Sequence, residues 1–176
     1  VPYYIRLGKV PDKRHITFFK DDGKSLYREE LFSTKGFAGI YSNKYHLYMP
    51  PQVESISEVD LSKDKIWTDA PLQYYHFMTG KKKTSGNFLS ARQEFLKNNN
   101  CVISTANPTA DTDLFFRNSY AHEIIFVHNG KGEMLSEYGK LEFNNWDYII
   151  IPKGTTYQLK FDNYNDVKLM IIESDT

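Results

Sequence analysis

The stretch HEIIFVHNGKGEMLSEYG, from His122 to Gly139, sets two imidazoles and a carboxylate (His122, Glu123 and His128) within a few residues of one another. These side chains can hold a divalent transition metal while leaving positions on the ion open for substrate and oxygen. Strand geometry argues against one shared ion. Side chains alternate between faces along a strand, so Glu123, Ile125 and Val127 share one face while His122, Ile124, Phe126 and His128 share the other. At strand rise His122 and His128 would stand ~20 Å apart, too far to ligate the same metal. Both histidines are therefore expected at the surface or in an oligomer interface.

The elements that would position these groups read as short strands. Asn129-Gly130 tolerates positive φ at both residues and predicts a β-hairpin, with GEMLSEY as its second strand. GKLEF, WDYIIIP, TYQLKF and VKLMIIE follow at short spacing, punctuated by Gly139, Asn144-Asn145, Pro152-Lys153-Gly154 and 163–166. Many short antiparallel strands in succession predict a sandwich, jelly roll or small barrel. Before Asn107-Pro108 the strand signals are less regular: Tyr3 to Leu7, His15 to Phe19, Ser25 to Leu31, Asn43 to Tyr48 and Leu72 to Met78, separated by turn residues. The helical candidate is SARQEFLKNNN with Ser90 as a possible N-cap; its apolar face is thin, and a single turn or loop fits it equally well. The expected division is a β-rich extension over 1–106 wrapping the core and barrel strands over 107–176, the two forming one structural unit.

Composition narrows the class of function. The 176 residues carry 22 basic and 22 acidic side chains, so no net field gathers nucleic acid or an anionic membrane. Lys81-Lys82-Lys83, flanked by Gly80 and Gly86, reads as a solvated loop tip. A single cysteine, Cys101, cannot form an internal disulfide and lacks a cationic sequence neighbour, which suits a small apolar side chain better than a nucleophile. No apolar run is long enough to span a bilayer and the start VPYYIRLGKV does not read as a signal peptide, so a soluble, cytoplasmic chain is expected. His46 and Tyr48 in YHLYMPP, and His76 in YYHF, lie on aromatic β-type runs where a half-buried histidine bonded to backbone is the usual outcome.

EIIFVHNGKG, Gly139 and NWDYIIIPKGTTYQLKF resemble the two signature segments of a cupin barrel. PYYIRLGKVPDKRH, DDGKSLYREELFSTKGFAG, NPTADTDLFFRNSYAHEIIFVHNGKGEMLSEYGKLEF and DYIIIPKGTTYQLKF together resemble the N-terminal half of bacterial homogentisate 1,2-dioxygenases, over nearly the whole chain from Pro2 to about Ser174. The resemblance implies a double-cupin protein with this chain as its first barrel and extension. Because family members are longer, a second barrel is expected beyond Thr176. It also implies an iron(II) enzyme that opens homogentisate with O2 to maleylacetoacetate in tyrosine and phenylalanine breakdown, assembled as a hexamer of two trimers. The implied iron ligands, two histidines and one glutamate, all belong to the second barrel.

In the cupin register Glu123 takes the glutamate position, with Gly130, Pro152 and Gly154 in frame and Asn145 where a glycine is usual. The two first-segment histidine positions fall on Phe116 and Asn118, and the second-segment one on Tyr157. Three of four ligands are therefore replaced, so no catalytic, cofactor or metal residue is assigned to this chain. Tyr157 is expected to fill the vacated space and hydrogen-bond Glu123, because a carboxylate inside an apolar barrel is costly without a partner. On that basis Glu123→Leu is expected to be tolerated better than Tyr157→Ala. Two functions follow as expectations: the scaffold half of a ring-cleaving dioxygenase, or a free-standing metal-less cupin that binds a small ligand.

Overall fold

The computed structural model describes residues 18–57, 73–81 and 83–175. Sequence-predicted strands at Tyr3 to Leu7 and over most of His15 to Phe19 lie outside the described residues. The chain divides into two compact units, Val1–Lys65 and Ile66–Thr176.

In the first unit β1 (Arg28–Lys35) and β2 (Ala38–His46) form an antiparallel hairpin. Gly36, at φ 55°, supplies the left-handed turn between them. An isolated bridge pairs Phe19 with Leu26 around a turn in which the Asp22 carboxylate accepts the backbone N–H groups of Lys24 and Ser25. His46, at the end of β2, sits 2.7 Å from the Glu30 carboxylate.

Among the described residues the second unit is all-β apart from a 3-10 turn at Thr79–Lys81. Its strands are β3 (Arg92–Lys97), β4 (Cys101–Ala106), β5 (Phe116–Arg117), β6 (His122–Asn129), β7 (Gly132–Ser136), β8 (Gly139–Phe143), β9 (Tyr148–Ile151), β10 (Thr156–Phe161) and β11 (Lys168–Ser174). A five-stranded sheet runs β3-β4-β11-β6-β9 and a four-stranded sheet runs β5-β10-β7-β8, with every pairing antiparallel. From β4 onward each strand crosses to the opposite sheet, except where β7 turns into β8. That winding is a jelly roll, the all-β architecture expected from the sequence.

The two-residue alternation places one face of each strand in the core. Ile125 and Val127 of β6 and Ile171 of β11 are completely buried, and Ile151, Leu159, Leu169 and Phe143 join them between the sheets. β3 and β4 precede residue 107, yet they form one side of the larger sheet. The segment read as helical makes a single turn: Asn87 accepts the N–H of Ala91 on its carbonyl and those of Leu89 and Ser90 on its side chain. The chain then leaves as β3, because Gln93 to Lys97 find pairing partners on β4.

Two further expectations are corrected. His122 to Ser136 does not form a hairpin. Both edges of β6 are taken, by β11 and β9, so Asn129-Gly130 carries the chain across to the other sheet. Gly130, at φ 140°, donates its N–H to Asn145 Oδ1 at 2.8 Å, which ties this crossing to the β8–β9 turn. The local hairpin is β7–β8, turning at Glu137-Tyr138. Residues 73–78, read as part of a strand, have no regular structure and are exposed, because they find no strand to pair with among the described residues.

Gly132 generates a test of the close pairing between β7 and β10. A Cβ there would meet the Lys160 carbonyl oxygen at 2.0 Å, whereas one at Gly80 would meet nothing within 4 Å. Gly132→Ala is expected to cost roughly 1–3 kcal/mol by forcing the strands apart, and Gly80→Ala to be near neutral. Chemical denaturation midpoints of the two variants check this.

Candidate functional site

Glu123 is the second residue of β6 and points between the sheets with no solvent exposure. An isolated carboxylate in that setting would be prohibitively costly, so its partners define the site. Tyr157, on β10 in the facing sheet and 1% exposed, donates its hydroxyl to Glu123 Oε2 at 2.8 Å. The bond expected from the cupin spacing is thus present. The sequence reading did not anticipate Arg92, whose Nη2 lies 2.7 Å from Glu123 Oε1 and also donates to the Tyr157 hydroxyl at 3.2 Å. The three groups form a closed triangle of cation, anion and phenol.

The network continues outward. Arg92 Nη1 lies 3.4 Å from Glu173 Oε1, and Asn118 Nδ2 donates to that same oxygen at 2.8 Å. Asn118 Oδ1 accepts the backbone N–H groups of Tyr120 and Ala121, so the side chain is committed at both ends. Aromatic rings pack around the guanidinium, with Phe88 centred 4.3 Å and Phe116 5.6 Å from Arg92 Cζ. The same two rings meet Tyr157 edge-on at 6.3 and 5.7 Å. Quadrupolar faces and a paired carboxylate together make a buried guanidinium tolerable.

The electrostatics follow from this placement. Burial opposes the Arg92 charge, but Glu123, with Tyr157 and Glu173 behind it, outweighs that and holds the guanidinium above its ordinary value. Burial first, and the Glu123 charge second, push the Tyr157 phenol far above its ordinary range, so it remains a proton donor to the carboxylate. Burial lifts Glu173 above the usual carboxylate range, Arg92 pulls it back, and Glu123 pushes it further up. Two carboxylates here share one guanidinium.

The four cupin-register positions therefore do converge. Phe116 and Asn118 come from β5 and the residues just after it, Glu123 from β6 and Tyr157 from β10. The histidines do not join them. His122 is half-buried on the outer face, its Nδ1 accepting the Lys153 N–H at 3.2 Å. His128 is exposed, its ring 5.3 Å from Trp146 and 6.2 Å from Phe126. Among the described residues His46 pairs with Glu30 in the first unit, while Tyr48 and His76 are exposed outside regular structure, and Cys101 opens β4, half-buried. Among the described residues no three His, Cys, Asp or Glu side chains gather into a metal-holding group.

The signal for Arg92 lies in RQEFLK read with strand rather than helical period. Arg92 and Glu94 then share a face, and pairing sets Arg92 opposite Ala106, a fully buried residue. That reading needs β4 to be recognised as the partner strand.

No protein-family model matches the sequence. The chain is 38% identical over 172 residues to a curated protein of Saccharolobus solfataricus named "Putative dioxygenase", the match taking in 97% of this chain and 44% of that protein. It thus spans less than half the length of that curated protein. Among solved structures, a cupin protein of Bacteroides fragilis aligns with 60% of this chain and 87% of its own at 17% identity and a TM-score of 0.45. A cupin-2 domain protein of Shewanella frigidimarina aligns with 47% and 78% at 16% identity and a TM-score of 0.41.

Arg92 adds to Glu123→Leu a cost that the sequence reading did not count. That change strands a buried guanidinium, so both Arg92→Met and Glu123→Leu should cost roughly 3–5 kcal/mol, while the double substitution should recover most of the loss. Equilibrium unfolding of the two singles and the double, analysed as a mutant cycle, measures the coupling. A pH series tests the outer carboxylate. Because the Glu173 value is raised in the folded state, its contribution to stability is fully present below the ordinary 4.5 and is lost as pH rises through the raised value. The stability of the native chain relative to Glu173→Gln should therefore fall with rising pH over that window, read from melting temperatures.

Proposed function

We propose that this chain is a cupin-type barrel serving as the scaffold half of a ring-cleaving dioxygenase, with homogentisate or a closely related dihydroxyphenyl acid as the substrate of the whole protein. The single observation that carries the reading is the Arg92–Glu123–Tyr157 triangle at the place where a catalytic cupin holds its metal. An oxygen-activating iron takes a facial set of two histidines and a carboxylate. Here one carboxylate oxygen accepts a phenol at 2.8 Å and the other lies 2.7 Å from a guanidinium, so a cation already occupies the place beside it. The amide of Asn118 is engaged by backbone and by Glu173, and Phe116 offers no donor. These residues do not fit iron, and no catalytic step is assigned to them.

What supports the dioxygenase reading is the 38% identity to the Saccharolobus protein across almost the whole of this chain, and what suggests the substrate is the resemblance of its long motifs to those of homogentisate dioxygenases. In this reading iron chemistry belongs to residues outside this sequence. The barrel's own contribution is rigidity: a core pinned between its sheets by an ion pair keeps a fixed shape against which another domain can dock.

The test measures iron content by elemental analysis and oxygen uptake with homogentisate, under anaerobic loading with iron(II), for this 176-residue chain and for the full-length Saccharolobus relative. The expected result is no stoichiometric iron and no oxygen uptake by the chain, with both in the relative. Iron and turnover in the chain itself would overturn the scaffold role, and a relative that loads iron yet leaves homogentisate untouched would overturn the substrate.

A further inference from the structure

The crossing from β6 to β7 carries the single Asn-Gly pair of the sequence, Asn129-Gly130. With no side chain on the following residue to crowd the approach, a backbone nitrogen can attack the asparagine amide carbon that precedes it. The fold itself requires that glycine. Gly130 adopts φ 140°, and a Cβ there would stand 3.4 Å from Val167 Cγ1, so the residue that makes the crossing possible also makes Asn129 chemically labile.

Both reacting groups are engaged elsewhere. Asn129 Nδ2 donates to the Asp166 carbonyl at 2.7 Å, while the Gly130 N–H donates to Asn145 Oδ1 at 2.8 Å. Each acceptor lies in a turn that contains a left-handed residue. Among the described residues Trp146, at φ 74°, and Asp166, at φ 61°, are the two non-glycine residues in that region, one beside Asn145 and the other the acceptor itself. Such conformations persist only where neighbouring contacts hold them, and the Asn-Gly pair supplies one contact to each turn. The β8–β9 turn is tied further to β6 by the Trp146 N–H on the Val127 carbonyl at 2.6 Å and the Val127 N–H on the Asp147 carbonyl at 2.9 Å.

We infer that Asn129 is a site of spontaneous deamidation, kept unreactive while these two turns are closed and converted to aspartate and isoaspartate when either opens. The Gly130 nitrogen forms a bond to Asn129 Cγ, the Cγ–Nδ2 bond breaks, and Nδ2 leaves as ammonia with the proton that Gly130 gives up. Water then opens the cyclic imide, so no oxidant, reductant or further reagent is needed. Attack at the side-chain carbonyl leaves aspartate, whereas attack at the main-chain carbonyl leaves isoaspartate, with an added carbon in the backbone of β6. Neither product fits the closed crossing. A carboxylate has no N–H for the Asp166 carbonyl and sets oxygen against oxygen there, and isoaspartate also disturbs the pairing of position 129 with Lys168 of β11.

The test incubates the 176-residue chain at mildly alkaline pH, folded and in urea, and follows aspartate and isoaspartate at position 129 by peptide mass spectrometry. Conversion should be at least about tenfold slower in the folded chain, because attack requires local opening. Asn145→Ala removes one acceptor and should raise the folded rate by about tenfold while leaving the urea rate unchanged. Asn145→Asp keeps an oxygen in place and should stay near the native rate, with thermal melts confirming that both variants are folded. Asn129→Asp, which carries the product side chain, should melt below the native chain. The comparison of the native chain with itself in urea stands even where Asn145→Ala fails to fold. A folded chain that converts as fast as it does in urea, or no conversion at position 129 in urea, would overturn the proposal. A folded Asn145→Ala chain no faster than Asn145→Asp, or an Asn129→Asp chain as stable as the native one, would overturn it equally.

Discussion

A single buried carboxylate sets the terms for the rest of the barrel. Glu123 has no exposed surface, and the strands on either side of it present Ile151 and Glu173 in register, so water cannot satisfy it. A charge in that position has to be matched within the protein, and the match draws side chains from both sheets: Arg92 from β3 and Tyr157 from β10. The two sheets are tied together at one end of the inner face by three groups that lose their partners if the sheets separate. Net stabilisation by such a pair is modest, because desolvation cancels much of the attraction, but the cost of breaking it is large. Its effect is to specify one sheet-to-sheet arrangement over the loosely packed alternatives that an all-aliphatic core would allow.

The same cluster shows which parts of the structure were legible in the sequence and why. The strands from Gly132 onward could be read because turn residues bound them and their apolar positions alternate; β10 matched its predicted segment residue for residue. Glu123, Phe116, Asn118 and Tyr157 could be placed because a family register fixes their spacing. Arg92 could not, since it enters from a strand pair with no family signature and with Pro108 after it suggesting a boundary. The Asn129-Gly130 turn was misread for a related reason. Local sequence specifies that the chain turns, while partner choice depends on which edges are already taken, and β11 arrives last in the chain to claim one edge of β6.

Alternation also carries information beyond inside and outside. In β6 the buried face holds Glu123, Ile125 and Val127 and the outer face Ile124 and Phe126, so the strand is apolar on both sides apart from its ends. A sequence reader meets EIIFV as a continuous run and cannot tell a doubly covered strand from one with an open apolar face. Pairing resolves the ambiguity, because neighbouring strands β11 and β9 repeat the pattern in register and turn scattered isoleucines into a surface.

The two faces of the larger sheet thus invert the usual division of labour. Its inner face carries charge at one end, in Glu123 and Glu173, and its outer face carries almost none. On the inner face the guanidinium of Arg92 answers both carboxylates, 2.7 Å from Glu123 and 3.4 Å from Glu173. An apolar outer face leaves association free energy available to whatever covers it. The larger sheet thus keeps its charge on the inner face, where Arg92 answers it, and leaves apolar side chains such as Tyr148 and Ile150 on the face that meets solvent.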